Sequence, residues 1–100
     1  MVREIEIVRV PVSRRDCQKM VQTIDSARSG YLSPPACLDV EVLANSQRDE
    51  VVVIITWASA KDHDESLHGS LCAAFFKEVS ALAAGAAEAV RYEPAAIDSK

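Results

Sequence analysis

The run Val51-Val52-Val53-Ile54-Ile55-Thr56-Trp57 is apolar on both parities of an extended chain. Side chains of a strand alternate between the two faces of its sheet, so such a segment has to be covered from both sides. This requirement constrains the chain more than any other feature, because little else in 100 residues is free to meet it. A polar stretch, Ala44 to Glu50, marks a turn before the run. Ahead of that turn, Leu38, Val40 and Val42 alternate with Asp39 and Glu41 as a second, half-exposed strand.

The chain opens with another strand, Val2 to Val12. Ile5 and Ile7 alternate with Glu4 and Glu6, then Val8, Val10 and Val12 take the apolar role on the opposite parity. That change of parity predicts a bulge near Ile7 and Val8, one extra residue that swings the apolar set to the other face. Ser13 and Asp16 form a variant capping box. The helix they open carries Cys17, Met20, Val21, Ile24 and Ala27 on one side, with Arg15, Gln18, Lys19, Gln22 and Asp25 facing away. Gly30 is expected to end it in the left-handed conformation, and the prolines of Tyr31 to Pro35 predict a loop. Ser59 and Asp62 repeat the capping spacing before a long second helix with Leu67, Leu71, Phe75, Val79 and Leu82 on one stripe. Gly69 and Ser70 should bend this helix and Gly85 should end it. Val90 and Tyr92, flanked by Glu88, Arg91 and Glu93, read as a last short strand stopped by Pro94.

The element order is βαββαβ, an α+β, ferredoxin-like arrangement in which four antiparallel strands carry two helices on one face. Residues 1–94 form the domain and 95–100 a mobile tail. Two helices cover one face only. Four or five aliphatic side chains left bare on the other would forfeit about 5 to 10 kcal/mol of burial, as much as the stability of a small domain. The tail is too short and polar to cover them. A twofold copy covers them without a second gene product, through an isologous interface, and a chain this small gains from hiding further apolar surface. A homodimer is therefore expected.

Composition excludes other partners. Hydrophobic residues make up 49% and charged residues 26%, with a net charge of −4. That leaves no basic field for nucleic acid, since the close pair Arg14 and Arg15 opens a helix. No apolar run approaches the roughly 20 residues that span a bilayer, and the first strand lacks the apolar core of a signal peptide, so a cytoplasmic protein is expected. Cys17, Cys37 and Cys72 are odd in number and lack paired-ligand spacing, which argues against a disulfide framework and against a structural zinc site. Of the three, only Cys17, beside Arg14 and Arg15 at a helix start, partly meets the needs of a reactive thiol, and a free cysteine equally serves as a small buried hydrophobe.

Trp57-Ala58-Ser59 at the exit of the third strand, and Ser70-Leu71-Cys72-Ala73-Ala74-Phe75-Phe76 on the helix, give the chain a Trp-x-Ser exit and a Trp-to-Phe spacing. With the element order, these resemble the antibiotic biosynthesis monooxygenase-like family over nearly the whole chain. The resemblance implies a dimeric α/β barrel, two ferredoxin-like units joined sheet to sheet, with substrate held between the sheet and helices of each subunit. It also implies activities that range from cofactor-independent oxygenation of aromatic phenols to quinol oxidation and haem degradation. The family's functional residues carry over poorly. The haem-degrading branch needs an Asn on the first strand, which has none, and its catalytic Trp and axial His fall at Ser66 and Phe76. The anthrone-oxygenase branch pairs its strand Trp with an Asn where Val53 stands, while a polar aromatic of that branch matches His63. A His that many members carry falls at Ser66.

Trp57 offers a flat apolar wall and one N–H donor for a ring-shaped ligand, although a large aromatic at a strand end also simply fills volume. His63 and His68 lie near the start of the second helix, five residues apart and so on different faces. Asp64 and His68 do sit four apart, as a solvated pair. Either histidine could take a proton from a phenol near neutral pH, and His63 is the nearer to Trp57. The expected site is therefore Trp57 and His63 as catalytic residues, with His68, Tyr31 and Phe75 contacting substrate; Tyr31 and Tyr92 serve equally as packing. No cofactor is expected. Two functions remain open: a cofactor-independent monooxygenase for a small aromatic, and a non-catalytic ligand-binding or structural homodimer of the same fold.

Overall fold

The computed structural model describes residues 2–45 and 47–95, so the expectation for the tail falls, apart from Ala95, outside the described residues. Seven main elements follow in order: β1 (Glu4–Pro11), α1 (Cys17–Ser26), β2 (Cys37–Asn45), β3 (Glu50–Trp57), α2 (Ala60–Ser66), α3 (Ser70–Leu82) and β4 (Glu88–Tyr92). The strands form one antiparallel sheet in the order β2-β3-β1-β4. This is the expected ferredoxin-like α+β arrangement.

The bulge expected in β1 is absent. Its pairing with β3 runs without a break from Glu4 opposite Trp57 to Pro11 opposite Glu50. One face of β1 therefore carries Glu4, Glu6, Val8 and Val10, and the other carries Ile5, Ile7 and Arg9. The parity change has a different cause: the two glutamates point inward, buried under the helices in line with the valines. The irregularity lies in β2, where the register shifts between Cys37 and Asp39. That shift leaves Leu38 exposed and puts Cys37 on the inner face with Val40 and Val42.

The inner face packs Val10, Val40, Val51, Val53, Ile55 and Trp57 against Met20 and Ile24 of α1 and Cys72 and Val79 of α3. Ser13 caps the chain's first helical turn as expected, its hydroxyl accepting the Asp16 amide, and a one-turn 3₁₀ helix at Arg14–Asp16 leads into α1. Ser59 does the same for α2, accepting the Asp62 amide at 3.1 Å. Gly30 is not left-handed; its φ of −136° lies on the negative side, and the chain leaves the helix through a second 3₁₀ turn at Ala27–Ser29. The second helical stretch breaks at Gly69 as expected, but it stops at Leu82, where Ala83 turns extended, three residues before Gly85. The upper end of the expected stripe is also corrected. Leu67 and Leu71 are exposed, and Cys72 takes the inward place because the break at Gly69 rotates α3 relative to α2.

The outer face of the sheet has no helix. Ile5, Ile7, Val52, Ile54 and Thr56 are half-buried there by neighbouring strands, while Leu43, Val90 and Tyr92 are exposed. Among the described residues, no helix is long and apolar enough to cross a membrane.

Candidate active site

Glu4 and Glu6 are two residues apart on one strand, so their side chains rise side by side from the inner face. Trp57 lies opposite Glu4 in the register, and α2 begins three residues beyond it. The short Ala58-Ser59 link and the Ser59 cap bring the first turn of α2 over the sheet, with His63 pointing down onto Trp57. The imidazole and indole stack with centroids 4.5 Å apart and planes 4° from parallel. His63 is 2% exposed and Trp57 is fully buried.

A polar chain is built around this stack. The Trp57 indole N–H donates to Glu6 Oε1 at 3.0 Å. His63 Nδ1 is hydrogen-bonded to Glu4 Oε1. Glu4 Oε2 accepts from Arg91 Nε of β4 at 2.9 Å and lies in an ion pair 2.8 Å from Nη2, and Arg91 Nη1 pairs with Asp64 Oδ1 of α2 at 2.8 Å. Burial pushes the Glu4 carboxyl up, but the hydrogen bonds from Arg91 and His63 outweigh it and hold the group below its ordinary 4.5. Arg91 in turn is raised above its ordinary value, chiefly by its bond to Glu4. An ionised Glu4 is an acceptor only, which assigns the His63 proton to Nδ1. His63 Nε2 has no hydrogen-bond partner, although Glu6 Oε1 lies 3.4 Å away.

Above the inner face, α3 rests on α1 and stands off from the sheet. The gap is a cavity of about 60 Å³ bounded by Val8, Ile55, Tyr31, Phe75 and Phe76, with Glu6 as its one carboxylate. Tyr31 packs edge-on against Trp57 at 5.5 Å and against Phe75 at 5.3 Å. Burial, then the hydrogen-bonded Cys72 thiol, raise the Tyr31 hydroxyl far above its ordinary 10. Burial likewise raises the Cys37 and Cys72 thiols.

The structure thus brings Trp57, His63, Tyr31 and Phe75 into one cluster. It does not bring in His68, which is exposed in the turn between α2 and α3. The expected pairing of His68 with Asp64 is not made either, because Asp64 goes to Arg91. Trp57 and His63 also stand one layer behind the cavity wall, and Glu6 is the group that faces it. Glu4, Glu6 and Arg91 were not among the sequence candidates. Their signal was the parity change of β1, which puts two acids in register with core valines. Among the described residues, no group of three or more His, Cys, Asp or Glu side chains is placed to hold a metal ion.

The class defined by this geometry is a ferredoxin-like α+β domain with a buried polar cluster beneath its helices. Its fold is that of antibiotic biosynthesis monooxygenase-type proteins. A structure described as a candidate monooxygenase of this type from Bordetella bronchiseptica superposes with a TM-score of 0.82 at 12% identity, over 96% of this chain and 100% of that one. SnoaB, a cofactor-independent oxygenase from Streptomyces nogalater, gives a TM-score of 0.81 at 12% identity over 100% of both chains. A conserved protein of Methanosarcina mazei gives 0.78 at 15% identity over 92% of each. No protein-family model matches the sequence, and no curated protein does.

Proposed function

We propose that this chain is a cytoplasmic, cofactor-independent monooxygenase for a small aromatic phenol, quinol or anthrone-like compound, working as a homodimer. The observation that carries the reading is the cavity beneath α3, with aromatic walls and Glu6 at its polar end, backed by the stacked Trp57 and His63. A flat apolar ligand suits such walls. Oxygenation without a cofactor starts by removing a proton from the substrate, which makes the ring system electron-rich enough to reduce O₂. For an anthrone-like substrate the ring CH₂ becomes C=O. Two C–H bonds break, O₂ supplies the carbonyl oxygen, and its other oxygen leaves as water, so the substrate provides all four electrons. His63, oriented by Glu4, is the proton acceptor, and Trp57 is the rigid floor that fixes it, the same division of roles as an orienting carboxylate behind a catalytic imidazole.

The dimer follows from the bare outer face. Ile5, Ile7, Val52 and Ile54 at its centre, with Val90 and Tyr92 beside them, form a self-complementary apolar surface suited to a twofold partner. Three free thiols suit a reducing compartment.

One observation favours the second reading, a non-catalytic ligand-binding homodimer. At about 60 Å³ the cavity holds roughly two water molecules, whereas ligand pockets run from about 300 Å³ upward. A ring-sized substrate needs more room than this, and Phe76, 48% exposed, stands on the cavity wall. Oxygen uptake with a panel of anthrones and quinols separates the two. Consumption that disappears in Trp57→Phe and His63→Ala supports the enzyme, and no turnover with any compound leaves the binder.

A further inference from the structure

Two acceptors that face each other inside a protein repel unless a proton lies between them. With its proton held at Nδ1 by Glu4, His63 presents a bare Nε2 to Glu6 Oε1 across 3.4 Å, and that nitrogen is the buried side-chain atom left without a partner among the described residues. Satisfying it would need only a donor in place of an acceptor at this point. The site instead leaves a place for one more proton. Glu6 is also the side chain that connects this place to the cavity. Trp57 occupies Oε1, which leaves Oε2 to meet a ligand.

We infer that Glu6 is the group that touches substrate and that His63 Nε2 stands behind it as the final acceptor, with Glu4 and Arg91 as positioning residues that hold the imidazole. The inference rests on the oxygenase reading for the identity of the substrate, but the proton path stands on geometry alone. The O–H bond of a bound hydroxyl breaks and its proton joins Glu6 Oε2. The carboxyl then turns about its Cγ–Cδ bond, the Oε2–H bond breaks and an N–H bond forms at His63 Nε2, so Glu6 ends as the carboxylate it began. The ligand is left as an oxyanion beside an imidazolium whose other proton is held by ionised Glu4. No other residue lining the cavity can take this role. Of the described residues that form its wall, only Glu6 and Tyr31 are ionisable, and the Tyr31 hydroxyl is bonded to Cys72 and held neutral by burial.

Anaerobic binding of 2-naphthol tests the path without oxygenation, because its naphtholate absorbs and emits at longer wavelength than the neutral form. Trp57 is the only tryptophan and reports occupancy by quenching. At pH 7 the wild type should hold the probe as naphtholate. Glu6→Gln and Glu6→Asp should still quench Trp57 while the naphtholate signal falls about tenfold or more, and turnover of any oxidised substrate should fall about 10²-fold through kcat, the scale of a lost general base. Arg91→Met should lower the naphtholate signal with binding kept, and Arg91→Lys should restore part of it. Naphtholate undiminished in both Glu6 variants, or none in the wild type, overturns the inference. Oxygen consumption that persists in Glu6→Gln overturns it while leaving the oxygenase reading intact. Glu6-dependent ionisation without oxygen uptake on any substrate does the reverse.

Discussion

Arg91 is the side chain through which the buried cluster can be tested most directly for its hold on the fold. Replacing it with Met removes the Nε–H bond and the ion pair to Glu4 as well as the pair with Asp64, and leaves a carboxylate that is 9% exposed on its side chain facing His63 alone. Charge-assisted hydrogen bonds contribute about 1.5–3 kcal/mol each, but Arg91 is 40% exposed and water replaces part of what it gave, so the expected loss is about 2 kcal/mol. In a domain of this size that lowers Tm by about 10 °C. Thermal unfolding followed by circular dichroism measures it. The pH profile adds a second reading. A carboxyl held below its unfolded value stabilises the fold above that value and gives the stability up as pH falls through the folded value. Wild-type Tm should therefore drop below about pH 4.5, and in Arg91→Met this acid-side drop should be smaller, since Arg91 is a main cause of the lowering. Glu4→Gln removes the stranded charge, so the double variant Glu4→Gln/Arg91→Met should be more stable than the two single losses sum to. An Arg91→Met protein that melts within about 2 °C of wild type, or strict additivity in the double variant, would refute the idea that Arg91 holds Glu4.

The remaining predictions concern assembly and the thiols. Ile54→Lys puts a charge at the centre of the bare face, opposite Ile7, and should convert a dimer to a monomer by size-exclusion chromatography with light scattering; a wild type that already elutes as a monomer rejects the dimer. A thiol reagent at pH 8 should label Cys17, which is partly exposed, and should reach Cys37 and Cys72 only on unfolding, because burial blocks access and disfavours their thiolates. Fast labelling of all three in the native protein contradicts that.

Most of the fold was legible in the sequence, for reasons particular residues supply. Val51 to Trp57 had to be a central strand because both its faces were apolar, and the Ser13 and Ser59 caps placed the helix starts to within a turn. The site was half legible. Trp57, Tyr31, His63 and Phe75 could be named as aromatic or titratable groups near one strand end, but Glu4 and Glu6 looked like the wet side of an exposed strand. Alternation reports only that two faces differ. It does not say which faces inward once an acid is stabilised by Arg91, His63 and Trp57, partners 51 to 87 residues away in sequence. Gly30 failed for a related reason, since the 3₁₀ turn at Ala27–Ser29 ended the helix without a left-handed residue. His68 was drawn in by its nearness in sequence, and the break at Gly69 leaves it outside.

β1 serves two masters with alternate residues: its glutamates belong to the polar cluster beneath the helices, and its isoleucines to the bare outer face. A slip of one position would trade these places, so the strand has a single usable alignment. In the proposed dimer, strain imposed at the outer face reaches the carboxylates across one peptide bond. In the proposed dimeric oxygenase, joining and reacting are opposite sides of the same ribbon.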